Sequence, residues 1–358
     1  MTESPAALMD TPGALPDDDI FDITIIGAGP TGQFAAFYAG LRGARTQIIE
    51  ALEEPGGALT AIYPEKYIYD VIGFPRVLAK DFVAHCDIQA RQADPTVRLS
   101  EQVRELEARP DGLIRLGTNN GDRWTRTVIV CAGVGAFEPK RLDVPGMREL
   151  EGKGVHYFAK RVEDFRDHHV VVVGGGDSAV DWAVTLEPIA TQVTLIHRSK
   201  FRAHEATVRQ LEASTVDLNY PGCEITSVHT NEDGRLSGVT FKNSDGDERT
   251  IPADDVIVAI GFLADLGPLK TWGFTLQRNQ IVVDKTTMET GIPGVYAAGD
   301  VVTYPAKFKL IVTGAAEAVT AVNHAVTYFD PKARLDPGHS TNIMEKREKA
   351  EASALAED

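Results

Sequence analysis

Two short stretches hold the most telling chemistry. Glu50 ends the run "TQIIE", and His197 and Arg198 end the run "TLIHR", with Lys200 and Arg202 close behind in "SKFR". Each follows a glycine-rich turn by about twenty residues, where a dinucleotide-binding unit places the side chains that read the adenosine ribose. A carboxylate there accepts both hydroxyls of an unphosphorylated ribose. Cations leave those hydroxyls unserved but offer charge-assisted bonds to a 2′-phosphate, for which arginine is well shaped. The first site therefore suits FAD or NAD, and the second suits NADP.

The elements needed to position these residues are legible twice. "IFDITIIGAGPTGQFAAFYAGLRGARTQIIE" reads as strand, turn, helix, strand, with Gly27, Gly29 and Gly32 forming G-x-G-x-x-G. The first glycine makes the tight turn, the second lets backbone approach a pyrophosphate, and the third lets the helix pack on the strand. The helix then turns its first N–H groups toward the phosphates. "HHVVVVGGGDSAVDWAVTLEPIATQVTLIHRSK" repeats the unit, with Gly174, Gly176 and Ala179 as G-x-G-x-x-A. Downstream, each copy continues with strands around a turn signal, Asn120–Gly121 or Asp245–Gly246, and an apolar strand ending in "CAG" or "AIG". One glycine motif is weak; two complete units predict two nucleotide domains.

The rest of the chain narrows the classes. At 358 residues the length suits about two domains. A net charge of −16 argues against nucleic acid or anionic membrane as the main partner. No apolar run reaches the ~18 residues of a membrane span. The start, "MTESPAALMDTPGALPDDD", has no basic or apolar leader region and is expected to be a disordered tail (1–19), as is the charged end at 346–358. Cys86, Cys131 and Cys223 are far apart and form no C-x-x-C, which suits three free thiols in a reducing, cytoplasmic setting. Paired His168–His169 lacks further ligands at metal spacing, so no metal is expected.

Further stretches carry a resemblance. "PGGALTAIYPEKYIYD" follows "IIE", and "TGIPGVYAAGDVV" lies near the C-terminus. Together with "GAGPTG", "VIVCAGVGAF" and "GGGDSAVDWA", they make the chain resemble the thioredoxin reductases. It resembles still more their dithiol-free relatives, the thioredoxin-reductase-like ferredoxin/flavodoxin–NADP(+) reductases, through "YPEKYIYD", "VHYF", "GGGDSAVDWAVTLEPIA", "DPKAR" and "HST". The resemblance spans roughly residues 20 to 345.

It implies an FAD site of Gly27, Gly29, Thr31, Gly32, Glu50, Ala58, Tyr63, Val103, Phe137, Asp300 and Thr341. Asp300 is expected on the ribityl chain and Tyr63 on one face of the flavin ring. His339, followed by Ser340 in a C-terminal extension from a second subunit, is expected on the other face, which implies a homodimer. The NADP site implied is Gly174, Gly176, Asp177, Ser178, His197, Arg198 and Lys200 or Arg202. Two departures stand out. Ala58 replaces the subgroup's usual glutamine, leaving only backbone to contact FAD there. The loop after Arg198 is one residue short, which leaves open whether Lys200 or Arg202 is the second phosphate ligand.

What is missing points to the reaction. Thioredoxin reductases carry a C-x-x-C shortly before the second glycine motif; here Tyr157 and Lys160 stand at those places. Electrons must leave a flavin by another route, and single-electron release suits an iron–sulfur or flavodoxin partner. The expected fold is α/β with two Rossmann-like dinucleotide-binding domains, thioredoxin-reductase-like without the redox dithiol. The FAD domain is expected at 20–139 and 263–345, with the NADP domain inserted at 140–262 and two hinges between. The expected activity is ferredoxin (or flavodoxin)–NADP(+) oxidoreduction. Alternatives are another NADPH-dependent flavin diaphorase or disulfide-type reductase, or a non-enzymatic nucleotide-binding redox sensor. Lys307, Lys309, Lys332 and Arg334 offer a basic patch for an acidic carrier.

Overall fold

The computed structural model describes residues 19–345 and 349; the expectations for the tails fall, apart from Asp19 and Lys349, outside them. By its contacts the chain divides into two units. The first comprises the chain up to Gly57, Ala84–Gly133 and the chain from Leu266 onward, and the second comprises Ala58–Val83 and Val134–Asp265.

The first unit is organised on the strand Ile20–Ile26. Thr46–Ile49 pairs parallel on one side, with Thr96–Arg98 beyond it, and Gly121–Val130 pairs parallel on the other. Val295–Ala297 runs parallel to the end of Gly121–Val130. The first half of that long strand folds back antiparallel through Ile114–Thr118 to Val103–Ala108, the hairpin expected at Asn120–Gly121. Parallel neighbours need a crossover, and the helix Pro30–Leu41 supplies it. The strands read as unbroken apolar runs because both faces are covered: Ile23, Ile25, Ile48 and Ile129 are all essentially inaccessible. Each such side chain contributes about 1.5–3 kcal/mol by leaving water. The long helix Ile311–Phe329 packs on Pro30–Leu41, and both bury small residues, Ala35, Ala36 and Ala39 on the shorter helix and Gly314, Ala318 and Ala321 on the longer.

The second unit repeats the plan. Five parallel strands run in the order Val155–His156, Asp255–Val258, His169–Val173, Gln192–Ile196, Asp217–Asn219. The helix Asp177–Leu186 makes the crossover between the third and fourth of these. The hairpin expected at Asp245–Gly246 forms between Leu236–Lys242 and Glu248–Pro252, with Glu224–Thr230 as its third strand.

Two boundaries differ from the sequence division, which kept residues 20–139 together. Ala58–Val83 belongs by its contacts to the second unit. Lys66 Nζ lies 2.7 Å from Asp181, and Glu65 accepts the backbone N–H of Val162 at 2.7 Å. Ala136–Pro139 likewise pairs antiparallel with Phe262–Asp265 within that unit.

Candidate functional site

The two glycine turns share one geometry. In the first, Gly27 has φ +107° and a Cβ there would meet the Cys131 carbonyl oxygen at 2.5 Å, while a Cβ on Gly32 would collide with the Gly27 carbonyl. Gly29, between them, faces open space. In the second, a Cβ on Gly174 would collide with the Ala259 carbonyl, Ala179 is fully buried, and Gly176 faces open space. Sterics thus close the outer positions and leave the middle one bare, where a pyrophosphate needs backbone to approach. Gly29 and Gly176 are also the N-cap residues of their helices. Neither provides a side-chain cap, so the first helical N–H groups remain available to an anion.

Glu50 ends its strand buried, with its carboxylate fixed from both sides. Oε2 accepts the N–H of Ala28 at 2.7 Å and Oε1 the N–H of Leu52 at 2.9 Å. A carboxylate has about four acceptor positions, so each oxygen keeps capacity for a ribose hydroxyl. The Glu50 carbonyl accepts the N–H of Glu101, which brings the buried Val103 within two residues of this point. Gly56 donates to the Ala28 carbonyl at 2.8 Å, seating the "PGG" turn on the first glycine loop. Beside that loop, Gln33 Nε2 also donates to Ala28, and its buried Oε1 has no hydrogen-bond partner among the described residues. Open space over Gly29, a fixed carboxylate and a spare buried acceptor together fit the adenosine diphosphate half of a dinucleotide.

Asp300 follows the strand Val295–Ala297 in the same unit. Its backbone carbonyl accepts Gln280 Nε2 at 3.0 Å, and its carboxylate has no hydrogen-bond partner among the described residues. The Gly299–Asp300 turn is bound tightly to the glycine loop. A Cβ on Gly299 would lie 3.0 Å from Thr31 Oγ1, and one on Gly314 would collide with that same oxygen. Thr31 therefore packs where the first turn of one helix, the Asp300 turn and the long C-terminal helix converge.

Residues 21–325 match the family described as pyridine nucleotide-disulphide oxidoreductase. The chain belongs to this family. Among its relatives, a ferredoxin–NADP reductase of Halalkalibacterium halodurans is 48% identical over 329 residues, covering 91% of this chain and 99% of that one. A ferredoxin–NADP reductase 2 of Shouchella clausii is 51% identical over 328 residues, covering 91% and 98%. Among solved structures, the thioredoxin reductase of T. acidophilum is 27% identical, with a TM-score of 0.72 over 88% of this chain and 100% of that one. The resemblance read from the motifs and the expected α/β fold with two dinucleotide-binding domains are both borne out.

Family membership sharpens what the second site must do. Arg198, Lys200 and Arg202 are exposed, and their segment is folded back over the second glycine loop: Arg202 N–H donates to the Gly175 carbonyl at 2.7 Å. The exposed Asp177 accepts the N–H of His204 at 2.9 Å, and Ser178 is exposed beside it in the first helical turn. His197 departs from the phosphate-binding role given to it. Its ring is buried against Gly175, where any Cβ would strike it, and stacks on Phe201 at 5.8 Å. Burial, together with the nearby Arg202 and Arg198, pushes its pKa down, so the imidazole is neutral and supports the loop.

A pyridine nucleotide-disulphide oxidoreductase of the dithiol type would carry a reactive thiol pair. Cys131 and Cys223 are buried, and Cys86 is half-buried. Burial raises all three thiols, that of Cys86 to about 11. Tyr157, at one former cysteine place, is buried, and burial raises its phenol. No group of three or more metal-ligating side chains occurs among the described residues.

The remaining expected residues fall in different surroundings. Ala58 and Tyr63 lie in the Ala58–Val83 segment of the second unit, Tyr63 half-buried. Phe137 lies in the strand Ala136–Pro139, and its side chain is outside what is described. His339, Ser340 and Thr341 are exposed at the start of a helical turn in the first unit. The basic patch needs correction. The side chain of Lys307 is turned inward and 5% exposed, its Nζ 2.5 Å from Glu317 Oε1, so it is no surface cation. Lys309, Lys332 and Arg334 are exposed. Sequence reading missed Glu317, although a lone acid on the apolar face of "IVTGAAEAVTAVNHAV" is a signal that something must pair with it.

Proposed function

We propose that this chain is a ferredoxin (or flavodoxin)–NADP(+) oxidoreductase, an FAD enzyme that exchanges electrons between NADPH and a one-electron carrier. The observation that carries this reading is the contrast between two otherwise parallel loops. One ends at a buried, amide-fixed carboxylate, Glu50; the other ends beneath exposed Arg198, Lys200 and Arg202. The names of the relatives agree with it.

Gly27, Gly29, Thr31, Gly32, Glu50, Val103 and Asp300 would hold FAD. Gly174, Gly176, Ser178 and Arg198, with Lys200 or Arg202, would hold NADPH. Bound FAD supplies the capacity to take electrons in a pair and give them up singly. The chain's own task is positioning, since direct hydride transfer needs no acid–base side chain. We assign Tyr63, and from a second copy His339 with Ser340 and Thr341, to shielding the ring from water. This assignment makes the enzyme a homodimer. Three raised, unpaired thiols suit a reducing cytoplasm. They also disfavour a disulfide-type reductase, since thiolate is the reactive form.

Purified protein should be yellow, with one FAD per chain. NADPH should bleach it anaerobically, and added ferredoxin or flavodoxin should restore the colour. A colourless protein, or a flavin that NADPH leaves oxidised, would sink the reading and favour the sensor.

A further inference from the structure

Glu317 lies on the inward face of the helix Ile311–Phe329 and binds three groups from the segment that precedes it. Oε2 accepts the backbone N–H of Gly299 at 2.8 Å. Oε1 accepts both the Tyr304 hydroxyl and Lys307 Nζ, each at 2.5 Å. The side chains of Glu317 and Lys307 are 4% and 5% exposed, so this is a desolvated ion pair rather than a surface one. A buried pair of this kind is weak evidence for stability, because desolvation consumes most of the Coulombic gain. The amide Glu317 holds belongs to the residue before Asp300, and Gln280 fixes the same turn through the Asp300 carbonyl. Gly299 has φ +88°, in the left-handed region that favours glycine, and these bonds act together with the close packing on Thr31 to define how the turn sits.

We propose that Glu317 is the positioning residue of the flavin site, holding the Gly299–Asp300 turn in place, and that Lys307 balances its charge so the flavin's redox potential is set by the pair. This rests on the FAD assignment above. Two consequences separate it from a packing role. Glu317→Gln keeps an acceptor for Gly299 but leaves a lysine unmatched, and an unbalanced cation beside the Asp300 turn would favour the more electron-rich reduced flavin. Lys307→Met leaves the carboxylate unmatched and acts oppositely.

The experiment is a spectroelectrochemical titration of the yellow holoprotein for wild type, Glu317→Gln, Lys307→Met and the double variant. The expected result is a midpoint shifted positive in the first variant, negative in the second and returned toward wild type in the double. Equal midpoints in all four, or shifts of one sign that the double does not cancel, would overturn the proposal. If Glu317→Gln fails to fold, Lys307→Met against the double variant carries the same test, because pairing must restore the midpoint. A colourless wild type would overturn the FAD assignment and this proposal with it. A yellow wild type with unresponsive variants overturns this proposal alone.

Discussion

Arg202 donates its backbone N–H to the Gly175 carbonyl at 2.7 Å, and this bond folds the basic segment over the second glycine turn. The contact is made by main chain, so it leaves the guanidinium of Arg202 free to point outward, as Arg198 and Lys200 do. Three cations thus gather over a loop whose middle glycine is bare. His197 underneath is neutral and serves as a platform.

NADPH should be preferred over NADH, and Arg198→Ala should erode the preference about tenfold or more, the loss of a charge-assisted bond worth about 1.5 kcal/mol. The check is kcat/KM for both nucleotides in wild type, Arg198→Ala, Lys200→Ala and Arg202→Ala. Whichever of the last two also erodes the ratio is the second phosphate ligand. A wild type with equal efficiency for both nucleotides would remove the 2′-phosphate site.

Acid should unfold the second unit through Asp255. Burial opposes ionisation of this carboxylate, but it is outweighed by bonds from His156 Nε2 at 2.7 Å and His168 Nδ1 at 2.6 Å and by their charges, so its pKa lies below the usual range. A depressed carboxyl gives stability that is complete above its unfolded pKa of about 3.9 and is lost as pH falls through the lower folded value. Melting temperature should therefore drop below about pH 4 in wild type, and less steeply in Asp255→Asn. Asp255→Ala should cost about 1–3 kcal/mol at neutral pH, because His156 Nε2 and His168 Nδ1 lose the acceptor they share. Parallel acid profiles for wild type and Asp255→Asn would show that other carboxylates govern acid unfolding.

How much of this was legible beforehand follows from what each residue answers to. Strands, glycine turns, crossover helices and hairpins are local, so the run around Gly27 and its repeat around Gly174 declared themselves. Glu50 was legible because its strand fixes where it ends. Lys307 was not, because its burial depends on an acid ten residues on, projecting from a helix whose packing is tertiary. His197 misled for a related reason: chain position set it beside the phosphate site, but the bare backbone of Gly175 drew its ring inward. The Ala58–Val83 segment is assigned by Glu65 and Lys66, whose partners lie about a hundred residues away along the chain and leave no periodic trace.

The C-terminal extension should be separable from the fold that bears it. Arg42 donates to the carbonyls of Arg334 and Leu335 at 2.6 and 3.0 Å and also bonds Asn323, which pins the chain just before Pro337. Truncation after Pro337 should leave these bonds, the melting temperature and FAD content nearly unchanged. It should still alter flavin fluorescence and carrier turnover, as should His339→Ala. An unchanged flavin spectrum with unchanged rates would place His339 in solvent and take the extension out of the mechanism.

Docking of the electron carrier should follow the exposed cations and not Lys307. The chain carries −16, so a generally acidic carrier such as a ferredoxin gains no attraction from net charge and needs a local patch. Lys309 follows Phe308, which is 69% exposed in this unit, and Lys332 and Arg334 lie in the exposed stretch after the long helix. Carrier turnover should fall as salt rises to physiological strength, where screening shortens to about 8 Å. Lys309→Glu with Lys332→Glu should raise the apparent KM for the carrier while NADPH-to-ferricyanide turnover holds, since neither residue touches a glycine loop. Lys307→Glu should instead damage both assays, because it sets two carboxylates against each other in a buried place beside the Asp300 turn. If reversing Lys309 and Lys332 harms both assays equally, or neither, the carrier docks elsewhere.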